Sequence, residues 1–153
     1  APGVASLAGG GFAIAWVQGS GNPQVLTRMF SADGTPVTAP TNPGIPPVCN
    51  AGSCQFQNLG WLVPLDDGGY VMTWANGSGI GNVGGLFARR FTSDGTPGGA
   101  IGRFEGDRAG LLAPLGSDGM LAVDQETVAC PPFTVCRPRT EIVTRRFDIT
   151  ALR

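Results

Sequence analysis

Three stretches of this chain can be written one above another. SLAGGGFAIAWVQ (residues 6–18), PLDDGGYVMTWAN (64–76) and PLGSDGMLAVDQE (114–126) align so that Leu7, Leu65 and Leu115 each stand four residues before Gly11, Gly69 and Gly119. Further along, LTRMFSADGTP matches FARRFTSDGTP and VTRRFDITALR, which brings Arg28, Arg89 and Arg145 into register, with Phe30, Phe91 and Phe147 two residues later. Self-similarity on this scale means that each copy is one supersecondary unit that cannot bury its apolar surface alone. Copies at about 3–48, 58–104 and 109–153 fill one domain, 1–153, and unequal loops absorb the differences in spacing.

Each copy reads as short strands joined by turns. The first strand ends at the anchor leucine (GVASL, WLVPL, GLLAPL), the second follows a Gly/Asp turn (GFAIAW, GYVMTW, GMLAVD), and the third carries the matched arginine (QVLTRMF, GLFARRF, EIVTRRF). A fourth, weaker strand is expected after the Asp-Gly turn at Asp33-Gly34 and Asp94-Gly95. Pro36 and Pro97 lack the N–H of a central strand, so that strand should lie at an edge. In the second strand Phe12, Ile14 and Trp16 share one face and Ala13, Ala15 and Val17 the other; Tyr70, Met72 and Trp74 oppose Val71 and Thr73 in the same way. Both faces are apolar, one large and one small, as suits a sheet sandwiched between two similar sheets.

The expected class is therefore all-β, with three repeated antiparallel blades of about four strands in a β-propeller-like arrangement. Three blades are fewer than a closed propeller ring needs. The chain is then part of a longer array, or two chains complete a six-bladed ring, or the repeats close as a β-trefoil or β-prism. A trefoil suits the length, but its strands bury one face each.

Composition narrows the partners. Charged residues are 14% of the chain, with 25 Gly and 13 Pro, and the formal net charge is −1. That balance lacks the basic stripe of a nucleic-acid binder. Arg137, Arg139, Arg145, Arg146 and Arg153 crowd one end, but Glu141 and Asp148 lie among them, and exposed strand arginines are the simpler reading. No apolar run is long enough for a membrane-spanning helix. The chain opens APGVAS without Met or a charged leader, which reads as a mature or excised product. Cys49 and Cys54 enclose NAGS, and Cys130 and Cys136 enclose PPFTV. Neither spacing is that of a zinc knuckle or a Cys-x-x-Cys redox motif, so two short local disulfides are expected, and with them an oxidising, secreted or cell-surface location. Asn76-Gly77-Ser78 is a formal glycosylation sequon.

Candidate chemistry is thin. With no His in the chain, the familiar Ser or Cys triads are unavailable. GSGIGNVGG (77–85) lacks the Lys-Ser/Thr ending of a phosphate loop and joins strand to strand. Asp124 and Glu126 share a strand face within the separation used by inverting glycosidases, but a solvated strand end is the simpler reading of one such pair in the most divergent copy. Asp66 and Asp67 are of a type that ligates calcium, but they stand where Ala8 and Gly9 stand in the first copy and no Asp-x-Asp series follows. No metal, cofactor or catalytic residue is expected.

The matched arginines are more informative. Arg28, Arg89 and Arg145 lie among apolar neighbours and must satisfy their donors, on a carbonyl or a turn carboxylate. They could alternatively form a sugar site between blades, as in lectins assembled from short repeat chains, with Trp16 and Trp74, or Trp61, as stacking platforms. The pattern Leu-x-Asp-Gly-Gly-Phe/Tyr-x-x-x-Trp, an x-Arg-x-Phe strand and an Asp-Gly turn resembles the DGGF…W…QRF…DG repeats found in tandem in large bacterial secreted and surface proteins. The second copy matches best, in PLDDGGYVMTW and LFARRFTSDGTPGG. The third departs, with Asp124 in place of Trp and no Asp-Gly after Phe147. The resemblance implies extracellular blade-like repeats in adhesion or matrix proteins, partnered by their own kind, by other extracellular proteins or by glycans, with no reaction to carry over.

Overall fold

The computed structural model describes residues 2–20, 23–44, 49–50, 53–54, 57–76, 85–104, 111–115, 119–128, 139–149 and 152. Among them there is no α-helix, and each aligned copy forms its own antiparallel sheet. Sheet 1 orders β1 (Gly3–Ser6), β2 (Phe12–Gln18) and β3 (Gln24–Phe30). A two-stranded ladder of β4 (Cys49–Asn50) and β5 (Ser53–Cys54) follows. Sheet 2 orders β6 (Gln57–Pro64), β7 (Tyr70–Asn76), β8 (Gly85–Phe91) and β9 (Gly102–Phe104), and sheet 3 orders β10 (Leu111–Leu115), β11 (Gly119–Val128) and β12 (Arg139–Asp148).

Among the described residues the outer, fourth strand is full only in sheet 2. In sheet 1 it shrinks to isolated bridges, Phe30 to Pro36 and Thr27 to Thr41, and Phe91 to Pro97 repeats the first of these in sheet 2. The prolines sit where no N–H is required: Val37 and Gly98, one residue on, donate to the Met29 and Arg90 carbonyls at 2.9 and 2.8 Å.

One turn geometry occurs four times among the described residues. Leu7 N–H donates to the Gly11 carbonyl and Gly10 N–H to that of Leu7; Leu65 and Gly68, Ser31 and Gly34, Thr92 and Gly95 repeat the pair. This is a three-residue hairpin loop closed by a left-handed residue, and Gly10, Gly34, Gly68 and Gly95 supply it at φ of 84°, 84°, 83° and 81°. The repeat glycines Gly11 and Gly69 have another cause. A Cβ on either would collide with the carbonyl oxygen of Phe30 or Phe91 across the hairpin.

The sheets stack face to face, with sheet 2 in the middle. Its large face, Tyr70, Met72, Trp74, Phe87 and Phe91, packs on the small face of sheet 1, Leu7, Ala13, Ala15, Val25 and Met29. Its small face, Val63, Leu65, Val71 and Ala88, packs on Met120, Ile149 and Leu152, with Phe147 alongside. Tyr70 through Trp74 are essentially inaccessible on both faces. Burial on both sides therefore holds for the middle copy, whereas sheet 1 buries its alanines and leaves Phe12, Ile14 and Trp16 half-buried. No sheet closes on itself among the described residues.

Two polar contacts tie sheets 1 and 2 together. Thr27 donates its hydroxyl to the Ile14 carbonyl at 3.1 Å and so accepts the Tyr70 hydroxyl at 3.0 Å. Burial pushes the Tyr70 phenol up to about 12. The Gln57 side-chain oxygen accepts the Val25 N–H at 3.0 Å, filling a ladder position that no strand supplies. In the third copy, where the Asp-Gly hairpin is missing, the chain turns inward instead. Ile149 and Leu152 enter the core between sheets 2 and 3, and Leu152 lies against Gly98 and Gly102.

The second Asp-Gly turn is also a packing element. A Cβ on Gly95 would strike the Thr38 methyl of the first copy, while the equivalent Gly34 has open space around it. Gly34→Ala should cost about 1 kcal/mol for its left-handed conformation alone. Gly95→Ala should cost ~2–3 kcal/mol, because overpacking adds to the same strain. Denaturant midpoints of the two variants measure the difference.

Candidate functional site

The polar residues that recur in the repeats are engaged in holding it together. In the first Asp-Gly turn the Asp33 carboxylate accepts the Ser31 hydroxyl at 2.6 Å and the Thr35 N–H at 2.9 Å. In the second, Asp94 accepts the Thr92 hydroxyl and the Thr96 N–H. The Ser31 hydroxyl, followed by the Thr35 N–H, pulls the Asp33 carboxyl down to about 2, and Thr92 and Thr96 lower Asp94 in the same way. These bonds stabilise the charged carboxylate and leave it no basicity for proton transfer near neutrality. Asp67 accepts the Gly69 N–H at 3.0 Å and pairs with the buried Arg90. Asp66 and Asp67 are thus turn residues, and no group of three or more His, Cys, Asp or Glu able to hold a metal occurs among the described residues.

Two of the matched arginines, Arg28 and Arg89, reach carbonyls. Arg28 Nε donates to Thr38 O and Arg89 Nε to Gly98 O, both at 2.8 Å, which fastens the third strand to the outer one. Arg89 makes a second bond, through Nη1 to Pro43 O at 2.6 Å, and so crosses from sheet 2 to the loop of the first copy. Its guanidinium is occupied within the stack. Trp74 is fully buried in the same interface, stacked on Phe87 at 5.8 Å, and presents no ring face to solvent. Its indole N–H finds no partner among the described residues. Trp61 is exposed at a bulge in β6, where its backbone N–H donates to Thr73 Oγ1 at 2.8 Å.

Trp16 and Arg28 are placed differently. Strand register puts Ile14 opposite Val4 and Arg28, and Phe12 opposite Ser6 and Phe30, so these side chains share the large face of sheet 1. Phe12 and Phe30 stack at 5.0 Å, the Arg28 guanidinium lies 5.5 Å from the Phe30 centroid, and Val4 is 70% exposed beside them. Trp16 turns its indole N–H to the Gln18 side chain at 3.3 Å. The result is an open face of aromatic and aliphatic groups around one guanidinium, a surface suited to contact another surface or a flat apolar ligand. Val4 escaped sequence reasoning, although its place opposite Ile14 follows once the first turn is drawn as a three-residue hairpin.

The remaining candidates lie partly or wholly outside the described residues. This holds for the side chains of Arg145, Asp124, Glu126, Cys49 and Cys54, for Cys130 and Cys136 entirely, and for loop residues 77–84. The backbone does place Asp124 and Glu126 in the body of β11, which runs on to Val128, rather than at a strand end. It also places Cys49 directly across the ladder from Cys54. No described helix is long and apolar enough to cross a membrane. Comparison with protein-family models, with curated proteins and with solved structures produced no match.

A carboxyl-detected NMR titration should find the Asp33 midpoint near 2, well under the ordinary aspartate value of 3.8. Because the folded-state pKa is the lower one, the turn's contribution to stability is complete above the ordinary range and disappears as the pH falls towards 2. Ser31→Ala should move the midpoint up; an unmoved midpoint would mean that the Ser31 hydroxyl is not the main cause.

Proposed function

We propose that the chain is a non-catalytic extracellular β-repeat domain of a bacterial secreted or surface protein, acting in structural assembly, adhesion or protein interaction. The observation that carries this reading is the unequal burial of equivalent positions. Tyr70, Met72 and Trp74 are enclosed by a neighbouring sheet, while Phe12, Ile14 and Trp16 form the same large face and stay half-buried. A face made for sheet-on-sheet contact and left open is a surface to be covered by another protein. The engagement of Asp33, Asp67, Asp94 and Arg89 in internal bonds supports a structural rather than a catalytic role. Stacking of large faces on small ones supports propeller-like blades over a trefoil, with the ring completed by further repeats or a further chain. The cross-strand placement of Cys49 and Cys54 supports a local disulfide and an oxidising compartment.

The second reading is a carbohydrate-binding lectin, favoured by one specific feature: Arg28, Phe30, Phe12 and Trp16 together on the open face. Aromatic faces and guanidinium donors are what sugars offer their apolar and hydroxyl sides to. Arg89 and Trp74, enclosed between the sheets, do not form that site.

Intact mass under non-reducing conditions should fall below the reduced mass by two hydrogens for each bridge, and a mass equal to the reduced chain would remove the disulfide argument. A glycan array separates the two functional readings. Binding that Arg28→Ala abolishes, with unfolding behaviour unchanged, would establish the lectin; absence of binding together with concentration-dependent association in light scattering is the outcome expected for an assembly domain.

A further inference from the structure

The two internal interfaces obey one rule, large face on small face, and among the described residues neither a large–large nor a small–small contact occurs. The stack therefore ends with two unlike surfaces. At one end is the large face of sheet 1, with Val4 70% exposed. At the other is the small face of sheet 3, where Leu115 is 41% exposed, although its counterparts Leu7 and Leu65 are 5% and 2% exposed under the neighbouring sheet. Ala113, Thr144 and Arg146 on that face are exposed as well.

We propose that these two surfaces bind each other between two copies of this chain, the large face of sheet 1 seating on the small face of sheet 3 of the second copy. The inference rests on the assembly reading above and names its surface and partner. Three equivalences carry it. Leu62, the counterpart of Val4, packs against the core that holds the small face of sheet 1, so position 4 is a contact position that in sheet 1 is left to solvent. Gly95 is packed beneath Thr38, whereas Gly34 meets nothing within 4 Å. Arg89 bonds both its own outer strand and the Pro43 carbonyl next door, whereas Arg28 makes only the first of these bonds among the described residues. These three features of sheet 2, completed by the first copy, have open counterparts in the first copy itself. Pairing two large faces would force the sheets apart, since stacked sheets keep a spacing of roughly 10 Å set by their side chains. The join is consequently head to tail, a heterologous contact.

The test uses Val4→Arg and Leu115→Arg, one on each surface, chosen because both side chains are already exposed and belong to neither internal core. Sedimentation of the wild-type chain over a concentration series should show self-association, and each variant alone should weaken it by about tenfold or more. A mixture of the two variants should form heterodimers, because each supplies the face that the other lacks. Matching circular dichroism and unfolding midpoints certify that both variants are folded. Self-association unaltered by either variant would overturn this interface and leave assembly through another surface standing. Loss with Val4→Arg alone would mean that two sheet 1 faces meet, which also overturns it. A wild-type chain monomeric at every concentration would overturn both the interface and self-assembly.

Discussion

The structure depends on the match between a large-residue face and a small-residue face across a fixed gap. Tyr70, Met72 and Trp74 project from β7 onto Ala13, Ala15 and Val25, and the sum of their sizes fills the space between two sheets. Full burial of each large side chain is worth about 1.5–3 kcal/mol, and the alanines opposite are what let the bulk fit at interior packing density. Enlarging one face without reducing the other would part the sheets along their whole length. The strand alternation, the two kinds of glycine and the inter-sheet hydrogen bonds all serve to bring these faces together in register.

The polar residues follow from the same constraint. Stacked sheets leave hairpin turns and strand edges as the places where backbone groups would go unpaired, and there the recurrent Asp, Thr and Arg residues are found. Asp33 and Asp94 brace the turns, Arg28 and Arg89 fasten the outer strands, and Gln57 stands in for a missing ladder partner at Val25. The buried Arg90 is the exception. It pairs with Asp67, yet its Nη1 has no partner among the described residues, so part of that guanidinium is desolvated without return. In sheet 1 the same position is Met29, which packs without that difficulty.

The third copy shows how the rule survives sequence divergence. It carries Asp124 where the other copies have Trp, and it lacks the Asp-Gly hairpin. Met120 still stacks onto sheet 2, and Ile149 and Leu152, beyond the last strand, supply apolar volume from a segment that is turn in the other copies. The missing Asp-Gly after Phe147 thus marks a rerouted chain.

Strand positions were legible in the sequence because alternation, Gly-centred turns and Phe anchors are local signals, and repetition supplied each of them two or three times. The division of β2 and β7 into large and small faces was legible for the same reason. What the sequence could not decide was which of those faces would be covered, since Phe12 and Tyr70, or Trp16 and Trp74, are nearly the same residue in nearly the same local pattern. Burial depends on a neighbour distant in the chain: sheet 2 has one on each side, while sheets 1 and 3 have one each. Tertiary order alone therefore made Trp74 core and left Trp16 at a surface, and it gave Arg89 a second carbonyl, that of Pro43, from the neighbouring copy.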